Sequence, residues 1–91
     1  MFAGIVEEAG KVTGLRKEQG NLHITVECSF VDELAIDQSI SHNGVCLTVV
    51  EKTDNDYTVT AIQETLEKSN LGQLTHGSHV NLERSVKVSD R

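Results

Sequence analysis

The chain has no proline and no tryptophan, and its only aromatic side chains are Phe2, Phe30 and Tyr57. Proline is one of the usual guards on an exposed sheet edge, so a proline-free β protein is best served by a sheet that closes on itself and leaves no edge. Three aromatics are too few for a platform on which successive nucleotide bases stack. Positive charge is also scarce. Eight Lys and Arg stand against fourteen Asp and Glu, giving a net charge of −6, and no basic cluster is longer than Arg16-Lys17. Binding to nucleic acid or to an anionic membrane rests on neutralising phosphates, so neither is expected as a partner.

Long apolar runs are missing as well. None approaches the roughly 18 residues of a membrane-spanning helix. The start, MFAGIVEEAG, has no basic region and meets Glu7-Glu8 after a short apolar run, which argues against a secretion signal. Two cysteines, Cys28 and Cys46, are too few for a disulfide framework. Without a secretion signal they read as reduced, half-buried thiols of a cytoplasmic protein. A phosphate-binding loop is ruled out by Ile5 and Val12, where its pattern needs glycine and Ser or Thr, and no G-x-G-x-x-G occurs. The 91 residues make one domain, residues 1–91, with no internal repeat evident. A chain of this length has an expected radius of gyration of about 12 Å. A ligand about 10 Å long cannot be enclosed by such a body and must lie in a surface groove or at an interface.

What the chain does have is alternation. In LHITVEC, Leu22, Ile24, Val26 and Cys28 point one way and His23, Thr25 and Glu27 the other, the mark of a half-buried strand. VCLTVVEK and YTVTAI are rich in β-branched residues and flank the polar run Thr53 to Asp56, a hairpin pattern. HVNLERSV alternates through Val80 and Leu82 and less cleanly Val86. GIVEEAGKVTGLRKE reads as a long strand broken by Gly10 and Gly14, where bulges or bends let a sheet curl. It turns into the next strand around Gln19-Gly20-Asn21. FVDEL is long enough for one helical turn. ETLEKSNLG predicts a short helix from about Glu64 to Asn70, with Glu64 and Lys68 one turn apart and Gly72 as its cap. Five or six short strands with one or two short helices predict a small all-β barrel.

Three motifs carry possible chemistry. Asn43-Gly44 is the signature of a tight hairpin turn, which needs positive φ at both central residues. His42 and Cys46 invite a thiolate reading, yet no helix N-terminus or basic cluster is there to activate the thiol. His76 and His79 in HGSH form a single loose pair, short of the two ligand pairs typical of zinc, so no metal is expected. From composition and spacing the chain is a small soluble β domain whose ligand stays open.

Four stretches in order, MFAGIVEE, SISHNGVCLTV, ETLEKSNLG and VNLER, resemble the N-terminal half of riboflavin synthase across Met1 to Asp90. The resemblance implies a six-stranded antiparallel Greek-key barrel, one of two that the family carries in tandem before a C-terminal helix. It further implies a trimeric full-length enzyme whose active site forms between the N-terminal barrel of one subunit and the C-terminal barrel of another. The family's reaction dismutates two molecules of 6,7-dimethyl-8-ribityllumazine to riboflavin and a ribitylamino-pyrimidinedione, with no cofactor and no metal.

By motif position, the implied ligand-contacting segments are Gly4, Ile5 and Val6; Cys46, Leu47 and Thr48; and Thr60, Ala61, Ile62, Gln63, Glu64 and Thr65. Phe2 is placed to cover the ring. Ser39, Cys46 and Thr48 are the side chains implied in catalysis, with Asn43-Gly44 turning the chain so that Cys46 and Thr48 face one groove. As a single barrel, the chain is expected to bind one lumazine or riboflavin, to turn over weakly or not at all, and to pair with a copy of itself. A non-catalytic lumazine or flavin carrier of the same superfamily, such as the lumazine proteins, must hold the same ring and stays open beside the enzyme.

Overall fold

The computed structural model describes residues 4–85. Its strands are β1 (Glu8–Glu18), β2 (Asn21–Glu27), β3 (Ser39–His42), β4 (Val45–Lys52), β5 (Asp56–Ala61) and β6 (His79–Arg84), with one helix, α1 (Gln63–Lys68). All pairings are antiparallel, and the strands close into a barrel in the order β1-β2-β5-β4-β3-β6. The expected barrel is present, and alternation accounts for it. Leu22, Ile24 and Val26 of β2, Leu47 and Val49 of β4, Tyr57, Val59 and Ala61 of β5 and Val80 and Leu82 of β6 all point inward and are buried. Asn43 (φ 52°) and Gly44 (φ 87°) form the tight β3–β4 turn, both in the left-handed region that a two-residue hairpin demands.

Closure rests on β1, which serves two neighbours. Glu8–Lys11 pair with β6 and Lys11–Glu18 pair with β2. Gly10 sits at the changeover. A Cβ there would lie 2.6 Å from both Leu82 Cδ1 and Val26 Cγ1, so β1 can press this closely onto the interior only without a side chain.

The two halves of the chain repeat each other, although no repeat is evident in the sequence. Residues 29–40 and 69–80 follow the same path 40 positions apart. Leu34 N–H donates to Val31 O as Leu74 N–H donates to Leu71 O, and each segment makes a one-turn 3-10 helix, Val31–Glu33 and Leu71–Gln73. Each then hooks onto a bulged strand. Asp37 and Gln38 exchange hydrogen bonds with Val49, and Gly77 and Ser78 do the same with Val12, at 2.8–2.9 Å. The register of β4 shifts just past Val49 and that of β1 just past Val12. Only Ser29/Ser69 and Leu34/Leu74 are identical between the segments. The shared feature is a backbone path that places Val31 and Leu71, and Ile40 and Val80, in the core, and different apolar side chains satisfy it equally well.

The helix is shorter than its pattern suggests. It ends at Lys68, and Gly72 is not its cap but part of the following 3-10 turn. Ser69 stops it: its hydroxyl donates to Thr65 O at 2.7 Å and accepts from Leu71 N–H at 3.3 Å, which releases Leu71 to be fully buried. Val86 lies outside the described residues.

A polar pair is sealed inside the apolar barrel. His42 Nδ1–H donates to Ile40 O at 3.0 Å, leaving Nε2 to accept from the Tyr57 hydroxyl at 2.8 Å. His42 is therefore not a partner for Cys46, whose side chain leaves the opposite face of the sheet. Burial pushes the His42 imidazole down from 6.5 to about 4 and the Tyr57 phenol far up.

Two outcomes follow from this interior. Gly10→Val should lower the thermal midpoint by roughly 5–20 °C, because overpacking a tight core costs about 1–3 kcal/mol; a midpoint unchanged in differential scanning calorimetry contradicts the close approach. The unfolded chain takes up a proton at His42 near 6.5 and the folded barrel only near about 4. Stability is thus whole above about pH 6.5 and falls as pH drops toward 4, by roughly 3 kcal/mol in total. Urea midpoints measured across that range should decline in the natural chain and flatten in His42→Gln.

Candidate functional site

Because neighbouring strands fix which residues share a face, the barrel's outside is as defined as its core. On β3 and β4, Ser39 pairs with Thr48 and Ser41 with Cys46, and all four side chains leave on the outer face. On β5, Val59 is paired with Val49 and points inward, so Thr60, one residue along, faces out beside the Thr48 end of β4. Thr60 is in turn the cross-strand partner of His23 on β2, and His23 that of Arg16 on β1. A polar row therefore crosses the outside of the barrel: Ser39, Thr48, Thr60, His23, Arg16.

A second row meets the chain start. Ser41 pairs with Glu83 of β6 on one side and Cys46 on the other. The Gly4 N–H donates to Glu83 Oε2 at 2.8 Å, and Glu83 and Ser41 are both buried although they face outward. The segment Gly4–Val6 is thus tied to β6 at Glu83. Glu7 anchors its far end. The Glu7 N–H donates to Leu82 O at 2.8 Å, and the Glu7 carboxylate accepts from Arg84 N–H at 2.7 Å and from its guanidinium at 2.8 Å. Arg84 also reaches Glu33 at 2.7 Å and stacks over the Phe30 ring at 4.3 Å. Hydrogen bonding to Arg84 holds the Glu7 carboxyl below its usual range and raises the guanidinium further, so the anchor stays charged.

The residues marked in the sequence fall as follows. Cys46 and Thr48 are exposed, and Ser39 and Thr60 are half-buried. Ile5 at 69%, Val6 at 52% and Ile62 at 52% relative exposure are large apolar side chains left in solvent around this face. Leu47 and Ala61 are buried in the core, so their side chains do not reach the outer face. Gln63 and Glu64 open α1, where Gln63 donates to Glu67 at 3.3 Å and Glu64 pairs with Lys68 at 2.9 Å; Thr65 is half-buried behind them. Phe2 lies outside the described residues. Glu83, Ser41 and His23 also belong to this face; Ser41 and Glu83 lie within the stretches SISHNGVCLTV and VNLER without a site role drawn from them, and His23 lies in no such stretch.

Of the two thiols, Cys46 is exposed rather than half-buried, whereas Cys28 is half-buried and its thiol is raised by desolvation. His76 and His79 are exposed, and among the described residues no group of three His, Cys, Asp or Glu side chains is placed to hold a metal ion.

Fold and face together define the class: a small closed antiparallel barrel whose polar chemistry lies on its outside. More specifically, the chain belongs to the lumazine-binding domain family, whose model matches residues 3–85. It is 39% identical over 92 residues to the riboflavin synthase of Bacillus subtilis, covering 100% of this chain and 43% of that protein. It is 44% identical over 93 residues to the riboflavin synthase of Mycobacterium tuberculosis, covering 100% and 46%. The chain thus spans about half the length of the curated relatives it matches. The barrel also superposes on LumP complexed with 6,7-dimethyl-8-(1'-D-ribityl) lumazine, with a TM-score of 0.88 and 22% identity over 100% of this chain and 51% of that one. LumP complexed with riboflavin gives 0.86 and 23% over 92% and 46%. At that identity the likeness concerns the fold.

The exposure difference predicts a two-speed thiol pattern. With iodoacetamide at neutral pH, one thiol should alkylate fast and the other at least about tenfold slower, and Cys46→Ser should abolish the fast phase. Mass spectrometry of the first-labelled peptide checks the assignment.

Proposed function

We propose that this chain is the N-terminal lumazine-binding domain of a riboflavin synthase and that it holds one ribityllumazine or riboflavin on the outer face described above. The observation that supports this most is the outward row Ser39, Thr48 and Thr60 on neighbouring strands, with Cys46 and Ser41 beside it and the Gly4 N–H tied to Glu83, the next residue along that second row. Three segments distant in sequence supply different parts of what a bicyclic ring with a polyol chain requires. Ile5, Val6 and Ile62 offer apolar contact for the ring faces. Main-chain groups of the Cys46–Thr48 and Thr60–Ile62 segments are suited to a pyrimidinedione edge, whose donors and acceptors lie in one plane. Ser39, Thr48, Thr60 and Thr65 offer hydroxyls for the ribityl chain.

For the dismutation, two lumazines must be held face to face in opposite sense. The 7-methyl group of one loses a proton to give a delocalised anion, which attacks the second ring. Holding the pair in register is worth several kcal/mol of barrier, and polar groups aimed at the anion lower it further. In this reading Ser39, Cys46 and Thr48 are the side chains nearest that chemistry, and a facing barrel brings the second lumazine. Residues 4–85 make one barrel, so the isolated chain binds and turns over weakly or not at all unless a second copy supplies that face; C2 pairs are the commonest such assembly. The reading places the protein in the cytoplasm with the small-molecule substrate as its partner and no cofactor.

The test titrates the purified domain with riboflavin and with the lumazine, following fluorescence, and then incubates it with lumazine alone. Saturable binding of both, slowed alkylation of Cys46 in the complex and little riboflavin formed are the expected results. Riboflavin formed at a rate that rises with the square of protein concentration indicates a self-assembled pair. Absence of binding of either compound overturns the reading.

A further inference from the structure

Among the candidate hydroxyls, Thr60 is the one whose side chain is held by ionisable groups. Its Oγ1 lies 2.8 Å from His23 Nδ1, and His23 Nε2 lies 2.7 Å from Glu18 Oε1. Arg16 meets the same carboxylate oxygen at 3.3 Å. A carboxylate only accepts, so Nε2 carries the hydrogen, and in the neutral ring Nδ1 is then bare. The Thr60 O–H must therefore donate to Nδ1, which leaves its oxygen lone pairs facing outward. The His23 hydrogen bond, with Arg16 in support, holds the Glu18 carboxyl below its usual range and keeps it an acceptor.

We propose that Glu18 and His23 are positioning residues that hold the Thr60 hydroxyl as an acceptor for a hydroxyl of the ligand's polyol chain. The inference rests on the ligand reading above. It follows from the row in which Thr60 stands: Ser39 and Thr48 continue it on the far side, so a polyol laid along them meets hydroxyls in succession, and His23 decides the sense of the last one. A second proton on His23 reverses that sense. Nδ1–H then donates to Thr60, takes up a lone pair and turns the hydroxyl hydrogen outward, against a donor on the ligand.

The ionisable groups on elements packed against β2 are Glu8, Lys11, Arg16, Lys17 and Glu18 of β1, Asp56 and Tyr57 of β5, and Glu64, Glu67 and Lys68 of α1. None is a histidine, so His23 is the imidazole to test between about pH 5 and 8. The buried His42 takes its proton near about 4, below that range.

The experiment measures riboflavin affinity across about pH 5 to 8 in the natural domain, His23→Asn and Thr60→Val, with lumichrome, the ring without the polyol, as second probe. Asparagine puts an amide oxygen close to the position of Nδ1 and cannot titrate. The natural domain should bind riboflavin roughly threefold to tenfold more weakly at the acid end, as expected for one hydrogen bond. His23→Asn should keep the neutral-pH affinity and lose the step, Thr60→Val should lose both, and lumichrome should show no step. A step that persists in His23→Asn or appears equally with lumichrome overturns the proposal while leaving ligand binding in place. No riboflavin binding in the natural domain overturns it together with the reading beneath it.

Discussion

The close approach of β1 to the barrel interior at Gly10 is the constraint on which the rest depends. There the strand leaves β6 and joins β2, and the missing side chain lets Leu82 and Val26 fill the space against its backbone. Closure has two consequences outside the core. Bringing β1 and β6 together puts Gly4 beside Glu83 and Glu7 beside Arg84, so Gly4–Val6 is held at both ends to β6. Pairing β1 with β2 along its length puts Arg16 and Glu18 next to His23. A bend demanded by interior packing therefore arranges both ends of the outer polar face.

The two histidines on strands show how environment assigns a role to one residue type. His42 faces inward, its hydrogen bonds satisfied by Ile40 O and Tyr57, and burial keeps it neutral across most of the pH range. A buried polar pair of this kind costs little when fully bonded and much when one partner is lost. His23 faces outward between a carboxylate and a hydroxyl, with part of its ring open to solvent. The neutral ring donates to Glu18 through Nε2–H and accepts from the Thr60 hydroxyl at Nδ1.

The half-repeat of the barrel reflects the same economy. Residues 29–40 and 69–80 each fold a one-turn helix and hook onto a bulged strand at Val49 or Val12. In each case a positive-φ residue, Asp37 or Gly77, makes the bend, and one buried aliphatic side chain holds the turn against the core. The two chain halves, β1 to β3 and β4 to β6, are joined by the β1–β6, β2–β5, β3–β4 and β3–β6 pairings.

Much of this was legible in the residues. Strict alternation in β2, β4 and β5 specified strands, faces and inward residues, since a strand with one buried face has a single tolerable register. Asn43-Gly44 specified its turn, because few pairs accept two left-handed residues. The motif stretches identified Gly4–Val6, Cys46–Thr48 and Thr60–Thr65 as candidates. Other features were not legible. Ser69 ended the helix before Gly72 because Leu71 had to be buried, a demand of packing that no local pattern expresses. Leu47 and Ala61 fell on the inner face, which a motif read as a contiguous segment does not distinguish. The separation of His42 from Cys46, the burial of Ser41 and Glu83, and the line from Glu18 through His23 to Thr60 were set by the fold, whose hydrogen bonds here span 5 positions from Glu18 to His23 and 79 from Gly4 to Glu83. By itself, then, the sequence determined which segments are strands, where they turn and which face of each is apolar, because propensity, turn geometry and period are local physics. Only the tertiary structure decided which outward side chains stand side by side, because that depends on strand order and register around a closed sheet, and those are set by how the whole interior packs.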